Sequence, residues 1–190
     1  PMSIPFTTGH SSKFSVSEWA LRDRHLIPIT EMAKDMERVD EVDLSHNAQL
    51  TDKALVPFLA TICRKEPPTL LRLSLSHCSR LGSETLKTIV ACLWQEGRGL
   101  QSLRELDLSG IHIPIKSYIS LSEALGHHSK LRDLCLTDTN LGSDASGQSS
   151  KVIENLLSSP SMEVLDIGWS ILRADVFAHL GACLHGVKQL

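Results

Sequence analysis

The stretch Leu70 to Leu81, LLRLSLSHCSRL, constrains the fold more than any other part of the chain. Leucines hold its first, fourth and sixth positions, Cys78 the ninth and Leu81 the twelfth. In an extended chain, residues two apart share a face, so Leu73 and Leu75 point to one side of a short strand and Cys78 anchors the turn after it. The frame recurs, and recurrence makes a local pattern an architecture. Val39, Val42, Leu44, Asn47 and Leu50 repeat it, as do Leu103, Leu106, Leu108, Ile111 and Ile113. Further copies are Leu131, Leu134, Leu136, Thr139 and Leu141, then Met162, Leu165, Ile167, Ser170 and Leu172. These copies start 31, 33, 28 and 31 residues apart, room for a strand, a turn, a helix and a return loop. Val16, Trp19, Leu21, Arg24 and Leu26 fit as a degenerate first copy, and Val187 with Leu190 as the opening of another.

One such unit cannot bury its apolar face, but six stacked units share a continuous core. The 190 residues therefore predict one α/β domain with a mobile segment over 1–13, a cap or degenerate repeat over 14–38, and repeats over 39–190, the last truncated. The ending inside a repeat's opening strand predicts a piece of a longer protein. Its uncapped edge is one through which two copies could pair. Aromatic residues are only 4% of the chain, as expected of a core filled by Leu, Ile and Val. No apolar run is long enough to span a bilayer, and the first residues lack a basic region followed by an apolar one, so neither membrane insertion nor secretion is expected. Five cysteines without a CxxC pair make a poor disulfide framework. Reduced thiols packed in the core of a cytoplasmic or nuclear protein fit better, with no metal or cofactor.

Helices are expected after each strand. Pro28 marks the start of the first, with Ile29, Met32, Ala33 and Met36 at helical spacing. The next runs from Thr51 or Asp52 to Cys63 with Leu55, Phe58, Leu59 and Ile62 inward, and Ser83 caps one whose inward face is Leu86, Ile89, Val90 and Leu93. The others cover about Ser117 to Leu125, Lys151 to Leu157 and Asp175 to Leu184, the second of these preceded by a flexible loop from Gly142 to Ser150.

The repeats resemble the leucine-rich repeat superfamily, in the helix-bearing type typified by ribonuclease inhibitor. LSHNAQLTD and LSHCSRLGS are also similar to the cysteine-containing repeats of F-box proteins. The resemblance spans Val16 to Leu190. It implies a right-handed leucine-rich-repeat solenoid, with a parallel concave sheet, convex helices and no catalytic residue. Arg24, Ile111, Thr139 and Ser170 depart from the usual Asn or Cys at the turn, so their loops need other hydrogen-bond partners.

Function is then read from side chains between the strand leucines, which point away from the core. The third frame position holds Glu18, Glu41, Arg72, Glu105, Asp133 and Val164; the fifth holds Ala20, Asp43, Ser74, Asp107, Cys135 and Asp166. Seven carboxylates against one arginine make an acidic wall, far more one-sided than a net charge of -3 requires. Such a wall attracts a protein with a basic surface and repels duplex nucleic acid. Trp169 lies beyond the last core position of its strand, where it packs against the loop or neighbouring repeat, the expected role, or stays exposed as a binding hot spot. His46 and His77 occupy equivalent positions and should stack; His127 and His128 lie in an inter-repeat loop without a special role. These features predict a non-enzymatic scaffold for a partner protein. The resemblance leaves two alternatives, a regulator like the Ran GTPase-activating proteins and a substrate-recognition module of a ubiquitin ligase.

Overall fold

The computed structural model describes residues 13–95, 98–144 and 146–186. Six three-residue strands alternate with six helices: β1 (Lys13–Ser15), α1 (Asp23–Asp35), β2 (Glu41–Asp43), α2 (Asp52–Cys63), β3 (Arg72–Ser74) and α3 (Ser83–Leu93). Then follow β4 (Glu105–Asp107), α4 (Ile115–Gly126), β5 (Asp133–Cys135), α5 (Gln148–Leu157), β6 (Val164–Asp166) and α6 (Ala174–Gly186). The strands form one parallel sheet in chain order. Most of the expected mobile segment, 1–12, and the unfinished repeat at Val187 to Leu190 lie outside the described residues.

The frame leucines make the core. Val42, Leu44, Leu73, Leu75, Leu106, Leu108, Leu134 and Leu136 are all buried. They stack in register, Val42 beside Leu73, Leu73 beside Leu106, Leu106 beside Leu134. α2 closes the layer with the residues expected, Leu55, Phe58, Leu59 and Ile62, and α3 with Leu86, Ile89 and Leu93, Val90 being only partly covered; on α1, Ile29 and Ala33 are buried but Met32 is exposed.

A backbone ladder extends beyond the strands. The N–H groups of Leu44 and His46 donate to Ser74 and Ser76, those of Leu75 and His77 to Asp107 and Ser109, and those of Leu136 and Asp138 to Asp166 and Gly168. The eighth frame residue therefore turns its N–H toward the next repeat, and each such residue is left-handed: Glu18, His46, His77, Gly110, Asp138 and Trp169 have φ between 53° and 67°. A left-handed non-glycine residue costs roughly 1–2 kcal/mol; the ladder bond at each interior turn offsets it.

The departures at the turn find their partners as expected for two positions. Asn47 accepts from the Leu21 N–H (2.9 Å) and donates to the Val16 and Leu44 carbonyls (2.9 and 2.8 Å). Thr139 and Ser170 each donate to the Leu136 carbonyl, at 2.7 and 2.8 Å. Ile111 is simply buried as an apolar side chain.

α2 starts as expected, with the Thr51 hydroxyl accepting from the Lys53 N–H at 3.3 Å, but other helix starts differ, and α3 is capped from another repeat. α1 begins at Asp23, with Pro28 inside it; burial of Leu26 with Ile29 and Ala33 outweighs the donor that proline lacks. Ser83 is the first residue of α3 and does not cap it. Asp52, one repeat earlier, accepts from the Gly82 N–H (2.8 Å), the Thr85 hydroxyl (2.6 Å) and the Thr85 N–H (3.3 Å). Asp23 likewise accepts from the Thr51 N–H and hydroxyl at 2.8 and 2.7 Å. α4 and α5 start at Ile115 and Gln148, ahead of the expected Ser117 and Lys151. The loop expected to be flexible contains a 3₁₀ turn, Leu141–Ser143, anchored by the Ser149 hydroxyl on the Leu141 carbonyl at 2.6 Å.

Candidate functional site

The outward side chains of the strands line one shallow depression of about 390 Å³ that runs from Glu41 and Asp43 on β2 to Val164 and Asp166 on β6. Its charge comes from position within the frame, since neighbouring parallel strands bring equivalent residues about 4.8 Å apart.

The first column is not as the spacing suggested. β1 is Lys13–Ser15, and its register puts Lys13 beside Glu41, Phe14 beside Val42 and Ser15 beside Asp43. Glu18 and Ala20 therefore lie in the turn, both with positive φ, and are not on the sheet face. Phe14, not Trp19, holds the fourth frame position, five residues ahead of where the spacing from Val16 predicts it. Phe14 and Val16, both buried, are the strand's core pair. The sequence signal is Phe-x-Val, an alternation matching Val42-x-Leu44, with Trp19 rather than Arg24 at the turn position.

The corrected face holds six carboxylates and two cations. Lys13 pairs with Glu41 at 2.5 Å and Arg72 with Glu105 at 2.8 Å, so both cations serve the N-terminal four strands. Asp43, Asp107, Asp133 and Asp166 have no cationic partner among the described residues. Three of these also shape the turns. Asp43 accepts from the Ser45 N–H (3.0 Å) and hydroxyl (2.5 Å), Asp107 from the Ser109 N–H (3.0 Å) and hydroxyl (2.6 Å), and Asp166 from the Gly168 N–H (2.9 Å). The second oxygens of Asp43 and Asp107 accept from the Ser15 and Ser74 hydroxyls of the preceding strand, at 3.5 and 3.3 Å. Negative charge without local compensation thus collects over β4 to β6, at Asp107, Asp133 and Asp166.

Trp169 does not pack against its surroundings as expected. It is 86% exposed, because the left-handed turn at φ 56° directs its side chain off the layer. His46 and His77 do stack, ring centroids 4.6 Å apart and planes 22° from parallel. Gly110 continues that row without a side chain because a Cβ there would lie 2.3 Å from His77 Nδ1. Among the described residues no three His, Cys, Asp or Glu gather as metal ligands, and no helix is long and apolar enough to cross a membrane. All five cysteines are free. Cys63 contacts Cys92 across two helices, and this hydrogen bond with burial pushes its thiol well above the usual range.

His128, expected to lie in a loop without a special role, is buried. Its Nε2 lies 2.9 Å from the Leu100 carbonyl, and its Nδ1 accepts from the Leu131 and Lys130 N–H groups at 3.0 and 3.3 Å. It clamps the return loops of adjacent repeats.

No protein-family model matches the chain, and none of the curated proteins matches it by sequence. Solved structures do match. The chain is similar to the tropomodulin C-terminal domain from Caenorhabditis elegans, with a TM-score of 0.62 and 12% identity over 82% of this chain and 91% of that one. It is also similar to a structure described as leiomodin-1 actin-binding site 2, with a TM-score of 0.57 and 16% identity over 88% of this chain and 91% of that one. The fold is a leucine-rich-repeat-type fold.

Proposed function

We propose that the chain is a non-enzymatic protein-binding module whose sheet face receives a partner's basic surface. The observation that carries this reading is the charge imbalance of the sheet face: both cations lie in ion pairs, while Asp107, Asp133 and Asp166, on three successive strands of one depression, have no cationic partner among the described residues. Charge of one sign on a recessed wall speeds and orients association with the opposite sign, and it disfavours duplex nucleic acid on that face. Support for a protein partner also comes from the neighbour described as an actin-binding site, which makes actin the first partner to test.

The test compares the wild-type chain with a variant carrying Asp107→Asn, Asp133→Lys and Asp166→Asn, matched for fold by circular dichroism. Co-sedimentation with actin filaments and affinity capture from lysate are run at low and high salt. A partner retained by the wild type, lost by the variant and weakened by salt supports the site. Equal retention by both rejects it.

A further inference from the structure

The layer formed by β6 and α6 is built like the interior layers but lies bare. The fourth and eleventh residues of α2, α3 and α4 are buried between repeats: Leu55 and Ile62, Leu86 and Leu93, Tyr118 and Leu125, none more than 3% exposed. The same positions of α6 hold Phe177 and Leu184, which are 66% and 42% exposed. Between them, Gly181 has open space where a Cβ would stand. The strand repeats the contrast. Leu134 and Leu136 are buried, their counterparts Leu165 and Ile167 are only partly covered, and Val164 is 53% exposed.

The backbone of this edge is also unpaired. At each junction from β2 to β6, the sixth and eighth frame residues donate their N–H groups to the next repeat, and the carbonyl of the second accepts from it. In the last layer these residues are Ile167, Trp169 and Glu163, and the same groups have no backbone partner among the described residues. The Val164 N–H donates to Arg132 and the Asp166 carbonyl accepts from Leu136, so alternation along the strand turns both backbone groups of Leu165 outward as well.

We propose that this face pairs with the same face of a second copy of the chain about a two-fold axis. The interior junctions show that such a layer is covered by a strand and a helix of its own kind. The opposite end of the stack offers no matching layer, since Phe14, Val16 and Leu26 there are fully buried, so the bare layer meets its like. Antiparallel pairing centred on Leu165 lets the two Leu165 residues exchange N–H and C=O bonds and brings the Ile167 N–H of each copy to the Glu163 carbonyl of the other. Val164 then lies opposite Asp166 across the seam, so no two carboxylates are directly opposed. The same axis runs the two α6 helices antiparallel: Phe177 of one meets Leu184 of the other, and the missing side chain of Gly181 permits close approach between them. Opposite dipole ends come together, with Asp175 in the first turn and His185 in the last. Such an interface is isologous and closes at two copies. It rests on the edge backbone and α6, apart from the reading of the sheet face.

The test measures the mass of the whole chain by sedimentation velocity across micromolar concentrations, at low and high salt. It compares wild type with Phe177→Glu, Gly181→Arg and, as a control on the exposed side of α2, Lys53→Glu. Gly181→Arg separates pairing from folding. Arginine has the higher helix propensity, and nothing in the same copy lies within 4 Å of its Cβ, so thermal unfolding of the monomer is unchanged or raised. The expected wild type is a dimer whose dissociation constant rises about tenfold or more with Phe177→Glu and Gly181→Arg. Neither salt nor Lys53→Glu weakens it, and amide hydrogen exchange in β6 slows as it forms. A monomer at every concentration, growth beyond two copies, a dimer indifferent to both α6 variants, or one without slowed exchange in β6 overturns the proposal. The first of these outcomes leaves the face to a strand and helix of a different protein.

Discussion

Replacing His128 with alanine tests whether a buried imidazole holds adjacent repeats together. The ring is 3% exposed and makes three backbone contacts. Nδ1 accepts two N–H groups, so the proton resides on Nε2 and points at the Leu100 carbonyl. On removal, Leu100 O keeps the Leu103 N–H at 2.9 Å, and Lys130 N, only partly buried, can turn to water. The Leu131 N–H is left buried without an acceptor, which costs about 1–3 kcal/mol. The space vacated by the ring adds to this, and together they give about 3 kcal/mol, or roughly 6–12 °C in Tm for a chain of this size.

The histidine also sets a pH dependence. Burial lowers its pKa, helped by the nearby Lys130 charge and opposed by the bond to Leu100. Because the folded state resists a proton that the unfolded chain accepts near the ordinary histidine value of 6.5, this stability is complete above that pH. It declines as pH falls toward the depressed folded value, at up to about 1.4 kcal/mol per pH unit. Urea denaturation of wild type and His128→Ala at pH 7.5 and 5.5 should therefore show a destabilisation that shrinks in acid. A cost below about 1 kcal/mol at pH 7.5, or one that does not change with pH, would refute this account.

Asp52→Ala removes the cap that one repeat supplies to the next helix and should cost about 1–2 kcal/mol in urea denaturation. Burial raises the Asp52 pKa, but the Thr85 hydroxyl and the N–H groups of Gly82, Thr85 and Glu84 together bring it below the usual 3.8. Its stabilisation is thus present above pH 3.8 and lost as the pH falls through the folded value, so acid titration of the variant should lack that part of the loss. Gly99→Ala should cost about 2 kcal/mol or more, because φ is +64° and a Cβ would lie 2.2 Å from the Cys92 carbonyl; differential scanning calorimetry checks it. Leu106→Ala, in a strand flanked on both sides, should cost about 3 kcal/mol by the same method.

The strand-turn frame was legible because it is set by local alternation. Leu73 and Leu75 must share a face, and the spacing of their copies left room only for a helix between strands. The acidic wall followed from the same rule, and five of its six columns stand where the spacing put them. The first column failed because two apolar patterns overlap there: Val16, Trp19 and Leu21 imitate the frame, while Phe14 and Val16 occupy it. Only pairing with β2 decides between them, and that choice replaced a glutamate with Lys13 and supplied Glu41 with its ion-pair partner.

Residues alone determined the repeat, its period, the buried leucines and the sign of charge on the sheet. Each of these depends on chain-local geometry, on which side a residue of given parity or helical spacing must point. Tertiary structure decided which charges are neutralised, since Arg72 and Glu105 are 33 residues apart in sequence and 2.8 Å apart in space. It also decided the cap of α3, which Asp52 supplies across a repeat boundary, the burial of His128 and the exposure of Trp169. Those outcomes depend on contacts between repeats and on a backbone ladder that drives residues of any type into left-handed turns, and no pattern within a single repeat carries that information.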